Sequence, residues 1–243
     1  MNLKATDLLD FYATPLGAQS AEALGARIST WWPDLKGQRV LTSGFGVPLD
    51  STLMSLDPLS LSHFVPARIR VAAKGITGRE VITDDTLMPL SSDEIDRVIL
   101  HHRLEEARRP DRTFREVWRV LKPGGKLIVV VPSAFGLWAR LPSNPYGKGQ
   151  AFTGLRLAAT LSEQLFSLER MRNALFFPPH SSFKWMRLPT GGVLIAEAQK
   201  LAGPAHLLQS PSPALKQRQA APVAKQETRS REHGRSQETS GSR

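Results

Sequence analysis

A short glycine-containing stretch, RVLTSGFGVPLD at residues 39–50, has the pattern of a buried strand that runs into a tight turn. Glycines at such a turn let the backbone approach a bound nucleotide or similar cofactor, because a side chain there would collide with it. Gly44 and Gly46 meet this requirement, and Thr42 and Ser43 precede them. The pattern predicts a cofactor turn, and the alternative is a tight turn with no ligand.

Histidines are the other residues suited to chemistry, since they can exchange a proton near neutral pH. His101 and His102 follow a continuous apolar run, and His180 lies in the stretch FFPPHSSF. The sequence does not select one of the three as a general base. No third ligand at metal spacing accompanies the histidine pair, so we predict no metal site. The chain has no cysteine, which excludes disulfides, thiolate ligands and cysteine nucleophiles.

Alternating strand-like and helix-like segments must position these residues. Apolar spacing predicts one or two helices over residues 3–32, and no strong helix follows before the second strand. Further helices are expected at 111–121, ended by KPGG, and at 153–171. Strands are expected at 39–44, 68–73, 80–85, 95–102, 126–132, 174–179 and 191–201. This alternation favours an α/β protein with an open, mostly parallel sheet covered by helices on both faces.

The composition changes near the end of the chain. We expect an α/β domain over residues 1–201 and a disordered, basic tail rich in Pro, Ser and Gln over 202–243. The tail holds seven basic and three acidic residues, which is +4 of the net charge of +10. A solvated tail is the simpler interpretation, and contact with nucleic acid or an anionic surface is the alternative.

The beginning of the chain bears on its location. The stretch MNLKATDLLDFYATPLG is polar and acidic where a secretory signal needs an apolar run. No apolar stretch approaches the length of a membrane span. We therefore expect a cytoplasmic protein with no membrane partner, and the sequence leaves its oligomeric state open.

Three further patterns follow the glycine turn in a fixed order. They are DDTLMPLSSDEIDRVILHHRLE at 84–105, FREVWRVLKPGGKLIVVVP at 114–132 and GGVLIAEAQK at 191–200. With these patterns the chain resembles the class I S-adenosylmethionine-dependent methyltransferases over residues 9–201, in particular their small-molecule branch, often called type 11. The resemblance implies a Rossmann-like, doubly wound, seven-stranded sheet whose last strand is antiparallel. It also implies methyl transfer from S-adenosyl-L-methionine to a small-molecule acceptor.

The resemblance also suggests site residues. The cofactor would contact Thr42, Ser43, Gly44, Gly46, Asp84, Thr86, Leu87 and His101. A substrate pocket would include Glu105, Tyr146 and His180. Each has a structural alternative: Asp84 could only cap a turn, and Glu105 could belong to a solvated helix end.

The chain departs from the family pattern at two places. The family turn begins with an acid and has a third glycine, and this chain has Thr42 and Pro48 there. The family acid that bonds the ribose has no counterpart in residues 72–74, so Glu80 or Asp50 would have to fold in from a loop. A catalytically inactive binding or regulatory module is therefore the alternative function. A nucleic-acid methyltransferase is a third, although the chain lacks an NPPY-type tetrapeptide.

Overall fold

A computed structural model describes residues 5–66, 80–83, 87–105, 107, 109–177 and 190–201. Its helices are α1 (Ala5–Tyr12), α2 (Pro15–Trp31), α3 (Asp50–Ser55), α4 (Pro110–Val120) and α5 (Gly154–Glu163). Its strands are β1 (Arg39–Gly44), β2 (Ser60–Pro66), β3 (Glu80–Thr83), β4 (Ile95–His101), β5 (Leu121–Pro132), β6 (Phe166–Ala174) and β7 (Val193–Lys200). The predicted tail, 202–243, lies outside the described residues.

The strands form one seven-stranded sheet in the order β3-β2-β1-β4-β5-β7-β6. Strands β1 to β5 are parallel, and β7 lies antiparallel to both β5 and β6. The predicted fold class is therefore confirmed. The chain order reverses between β1 and β4, and in open α/β sheets ligands bind at the carboxyl ends of the strands at such a point. The glycine turn lies at this position.

Both faces of the central strands are buried, which explains why those strands have continuous apolar sequences. Leu41, Val98 and Val129 face α4 and α5 in one core cluster. Val40 and Ile99 face α2 in the other. Adjacent residues of one strand point to opposite faces, so each strand contributes to both clusters.

Local sequence patterns predicted several helix and strand boundaries to within a residue or so. The predicted helix at 111–121 is α4, and the predicted strands at 39–44 and 95–102 are β1 and β4. The KPGG stretch does not separate α4 from a strand that starts at 126. Strand β5 begins at Leu121, which pairs with Ile95, and the next pair is Lys126 with Arg97. Residues 122–125 therefore form an irregularity within β5, and Gly124 supplies the positive φ of +74° that it requires.

One strand that pairs with β1 lies in a stretch for which the sequence predicted no strand. The partner of β1 is β2 at Ser60–Pro66, paired in register from Arg39 with Ser60 to Ser43 with Phe64. Residues 68–73 lie outside the described residues. The serines and final proline of β2 make it look like a loop, but most of its residues are buried, with Phe64 in one core cluster and Leu61 in the other. The short helix α3 also lies where no strong helix was predicted.

The predicted helix at 153–171 is too long, and the predicted strand at 174–179 begins too late. Helix α5 ends at Glu163, and Leu165 turns the chain with a φ of +61°. Strand β6 then pairs with β7 from Phe166 with Lys200 to Ala174 with Val193. The sequence of β6 is rich in Leu, Glu, Arg and Met, which favour helices, so tertiary pairing overrides the local preference.

Candidate functional site

The glycine turn packs tightly on its neighbours. Gly44 has a φ of +106°, and a Cβ added there would lie 2.1 Å from the carbonyl oxygen of His101. A Cβ added to Gly46 would lie 2.0 Å from Thr42 Oγ1. Both glycines are thus required by contacts within the chain, whatever ligand the turn holds. Ser43, also predicted for this site, is buried between Phe64 of β2 and Leu100 of β4.

A chain of polar contacts lies beneath the turn. Thr42 Oγ1 is 2.6 Å from Nδ1 of His63, and Nε2 of His63 is 2.9 Å from a carboxylate oxygen of Asp50. Thr42 and His63 are buried, and Asp50 is the first residue of α3. This Thr42–His63–Asp50 chain joins β1, β2 and α3.

A second polar cluster fills the space at the end of β4. The Tyr12 hydroxyl is 2.8 Å from His102 Nε2, 3.1 Å from His101 Nε2 and 3.0 Å from the Tyr146 hydroxyl. The Tyr146 hydroxyl is also 3.0 Å from His101 Nε2. His101, His102 and Tyr146 are buried. Helix α1, the end of β4 and the segment after β5 therefore meet at four hydrogen-bonding rings, the Tyr–His cluster.

The carbonyl oxygen of Phe45 fixes the hydrogen of one imidazole. It lies 2.8 Å from His101 Nδ1 and can only accept, so Nδ1 carries the hydrogen and Nε2 accepts. In His102, Nε2 lies 2.8 Å from the Tyr12 hydroxyl, and Nδ1 lies 3.2 Å from a carboxylate oxygen of Glu105. Glu105, predicted as either a pocket residue or a solvated helix end, is in fact buried.

Burial keeps the rings of the Tyr–His cluster uncharged. It lowers the pKa of His101 to about 3, with the neighbouring His102 adding to the effect, and it lowers the pKa of His102 to about 3. Burial also raises the pKa of Tyr146 and, together with Tyr146, that of Tyr12. At neutral pH the cluster is therefore a network of neutral donors and acceptors.

The structure brings together three of the predicted site residues, namely His101, Glu105 and Tyr146. Their roles in binding stay predictions. Sequence reasoning assigned Tyr12 only to the apolar face of a helix and missed its hydroxyl, because no motif marks which side chain α1 places against β4. Leu87 is 66% exposed. Asp84, Thr86 and His180 lie outside the described residues.

A cavity of about 530 Å³ opens beside the glycine turn, a size typical of small-molecule sites. Helices α1 and α2 form one side of it, and the segment from Phe45 into α3 forms the other. Its described lining residues are Leu9, Tyr12, Ala13, Ala18, Ala21, Glu22, Phe45, Val47, Pro48, Ser51 and Thr52. The lining is mainly apolar, and Glu22 is the one carboxylate among these residues. Tyr12 belongs both to this lining and to the Tyr–His cluster.

Comparison with known proteins supports the resemblance. Residues 62–129 match a type 11 family described as a methyltransferase domain. No curated protein matches the chain.

Solved structures share the fold at low sequence identity. An S-adenosylmethionine-dependent methyltransferase from Aquifex aeolicus has a TM-score of 0.59 and 12% identity, over 82% of this chain and 100% of that one. The cyclase SpnF has a TM-score of 0.56 and 21% identity, over 76% and 82%. A Burkholderia thailandensis 1,6-didemethyltoxoflavin-N1-methyltransferase, solved with its substrate and S-adenosylhomocysteine, has a TM-score of 0.53 and 14% identity, over 75% and 79%.

The sheet order and the solved structures show that the chain has the class I methyltransferase fold, and residues 62–129 are similar to the methyltransferase domain family. The predicted resemblance is confirmed at this level. Its assignment to the small-molecule branch remains a prediction. The alternative of an inactive binding module receives no support from these matches.

Within the described ranges, no helix is long and apolar enough to cross a bilayer, and no group of three His, Asp or Glu side chains could hold a metal ion.

Proposed function

We propose that this chain is an S-adenosylmethionine-dependent methyltransferase that acts on a small-molecule acceptor. The observation that carries the proposal is the position of the glycine turn, at the switch point between β1 and β4, with Phe45 between its two glycines in the wall of the 530 Å³ cavity. The type 11 match supports methyl transfer. The small-molecule substrate of the Burkholderia thailandensis neighbour supports the acceptor class.

The residues around the cavity suit this cofactor. Its methionine end carries a positive sulfonium and an ammonium group, and Glu22 places a carboxylate at the cavity rim. Thr42, which stands at the family's acidic position, does not offer its hydroxyl to a ligand because that hydroxyl is buried against His63. We therefore assign Thr42 to support the turn, and Glu22 to supply the negative charge.

The cofactor would supply a methyl group bonded to a positively charged sulfur. An acceptor atom would take this methyl group in line with the bond to the sulfur. The chain's own residues then have to bind, orient and exclude water. The apolar side chains Leu9, Phe45 and Val47 give the cavity walls that exclude water. Tyr12 links these walls to neutral His102, whose Nε2 lies 2.8 Å from the Tyr12 hydroxyl.

Filling the cavity tests the proposal. Ala21 lines the cavity on α2, whereas Ala26 lies on the exposed part of the same helix and outside the lining. Calorimetry with S-adenosylhomocysteine should show that Ala21→Phe weakens binding by about tenfold or more, since the ring takes ligand space. Ala26→Phe, the matched control, should bind like wild type. Absence of binding by wild type at millimolar S-adenosylmethionine and S-adenosylhomocysteine would refute the proposed function.

A further inference from the structure

We propose that His63 is a positioning residue of the glycine turn, and that it acts by fixing the Thr42 side chain on which the turn rests. The inference rests on the proposed function, because it assigns these residues to a cofactor site. It adds a residue on β2 that the sequence motifs do not mark.

The pairing of the strands places the first two members side by side. Thr42 and His63 are register partners on β1 and β2, and their side chains meet at 2.6 Å. Asp50 reaches the other imidazole nitrogen from the start of α3, at 2.9 Å. His63 is 0% exposed, so these two contacts are the main polar environment that the described residues give it. One buried ring therefore holds the residues on both sides of the turn, 42 and 50.

The turn rests directly on the Thr42 side chain. The Cβ position of Gly46 lies 2.0 Å from Thr42 Oγ1 and 2.4 Å from its Cβ, so the Gly46 backbone and the threonine are in van der Waals contact. A threonine prefers few χ1 rotamers, and its hydrogen bond to His63 selects one of them. Any change in that rotamer must move Gly46, and with it the adjoining Val47 and Pro48 in the cavity wall.

Asp50 brings a carboxylate close to the same imidazole. One of its oxygens lies 2.9 Å from Nε2 of His63, and the Asp50 side chain is 17% exposed, next to Ser51 and Thr52 of the cavity lining. The hydrogen bond of the ring that bears on the turn is the one between Nδ1 and Thr42 Oγ1.

A nucleophilic role for Thr42 does not fit the same geometry. A hydroxyl, an imidazole and a carboxylate in sequence are also the components of a catalytic triad. Thr42 is only 1% exposed, however, and Gly46 covers its oxygen. No substrate carbonyl can reach that atom, so the three residues act by holding the turn.

Two substitutions of His63 separate its two contacts. The amide of Asn in His63→Asn occupies the place of Nδ1 and can keep the bond to Thr42, whereas the longer Gln in His63→Gln reaches the place of Nε2 and Asp50. Thr42→Val removes the hydroxyl at nearly constant volume, and Thr42→Ser retains it. Ser29→Ala, which removes a hydroxyl that bonds within α2, is the control.

The measurements are calorimetry with S-adenosylhomocysteine and thermal unfolding, on the full chain. We expect Thr42→Val and His63→Gln to weaken binding by about tenfold, the effect of one lost hydrogen bond to a well-ordered group. Thr42→Ser and His63→Asn, which keep that bond, should each recover most of the loss, and Ser29→Ala should bind normally. Recovery by the conservative variants is a result that a general loss of stability would not give.

The outcomes are distinguishable. If wild type does not bind, the proposed function fails and this assignment fails with it. If wild type binds and the folded Thr42 and His63 variants bind within twofold of it, only the positioning role is wrong. Nitrogen NMR of the imidazoles gives a readout without ligand: a His63 Nδ1 signal that Thr42→Val leaves unchanged would show that the hydroxyl does not bond to this ring and would overturn the assignment.

Discussion

At the scale of single residues, Tyr12 holds α1 to the rest of the site. Its hydroxyl meets two histidines and a second tyrosine, all at the end of β4 or after β5. The cluster works only as a whole, because a buried polar atom that loses its partner keeps the cost of its lost hydration. The hydroxyl therefore stabilises the fold more than an ordinary surface hydroxyl does.

Tyr12→Phe tests this role. The change leaves His102 Nε2 without its hydrogen-bond partner, and we expect the free energy of unfolding to fall by about 1–3 kcal/mol. Urea denaturation measures the loss. Ser55→Ala, which removes an exposed hydroxyl that bonds to the Thr52 carbonyl, should change stability by less than about 0.5 kcal/mol. Equal stability of Tyr12→Phe and wild type would show that the hydroxyl does not hold α1.

At the scale of elements, local patterns predicted β1, β4 and β5 but missed β2 and misplaced β6. Strands β1, β4 and β5 have continuous apolar runs because they are buried on both faces, so the sequence alone marks them. Edge strand β6 is half exposed and carries helix-favouring residues, so only its pairing with β7 makes it a strand.

A peptide of residues 153–171 separates the local preference from the tertiary pairing. In trifluoroethanol, which enriches helices, we expect helical NMR shifts to continue beyond Glu163 to Ser167 and Leu168, since β7 is missing. In the folded chain those residues are in β6. Helical shifts that stop at Glu163 in the peptide would mean that the local sequence itself ends α5.

In the candidate site, too, sequence patterns predicted some residues, and others depend on tertiary contacts. The glycine turn, His101, Glu105 and Tyr146 could be predicted because each lies in or near a motif of the resembling family. His63 and Tyr12 could not, since one acts through strand register and the other through the docking of a helix. The sequence motifs therefore indicated where the candidate site lies, and the unmarked residues that contact it came only from the three-dimensional structure.

At the scale of the whole molecule, the open question is the excess positive charge. Residues 202–243 contribute +4 of the net +10, and they lie outside the described residues. Nucleic-acid binding that depends on phosphate contacts falls steeply with salt, in proportion to the number of contacts. A chain with a merely solvated tail should therefore show only weak oligonucleotide binding that disappears at physiological salt.

We expect only weak binding that disappears at physiological salt when the full chain is mixed with a duplex oligonucleotide. Fluorescence anisotropy over a series of salt concentrations measures it. The matched variant replaces Arg229, Arg231 and Arg235 by Gln, which removes three tail charges and leaves the α/β domain unchanged. Wild type and variant should both lose binding by about 0.15 M salt, because a few non-specific phosphate contacts do not survive screening. Binding that persists there in wild type, with a smaller salt slope in the variant, would instead assign the tail to nucleic acid. The methyl acceptor would then have to be sought among polynucleotides as well as small molecules.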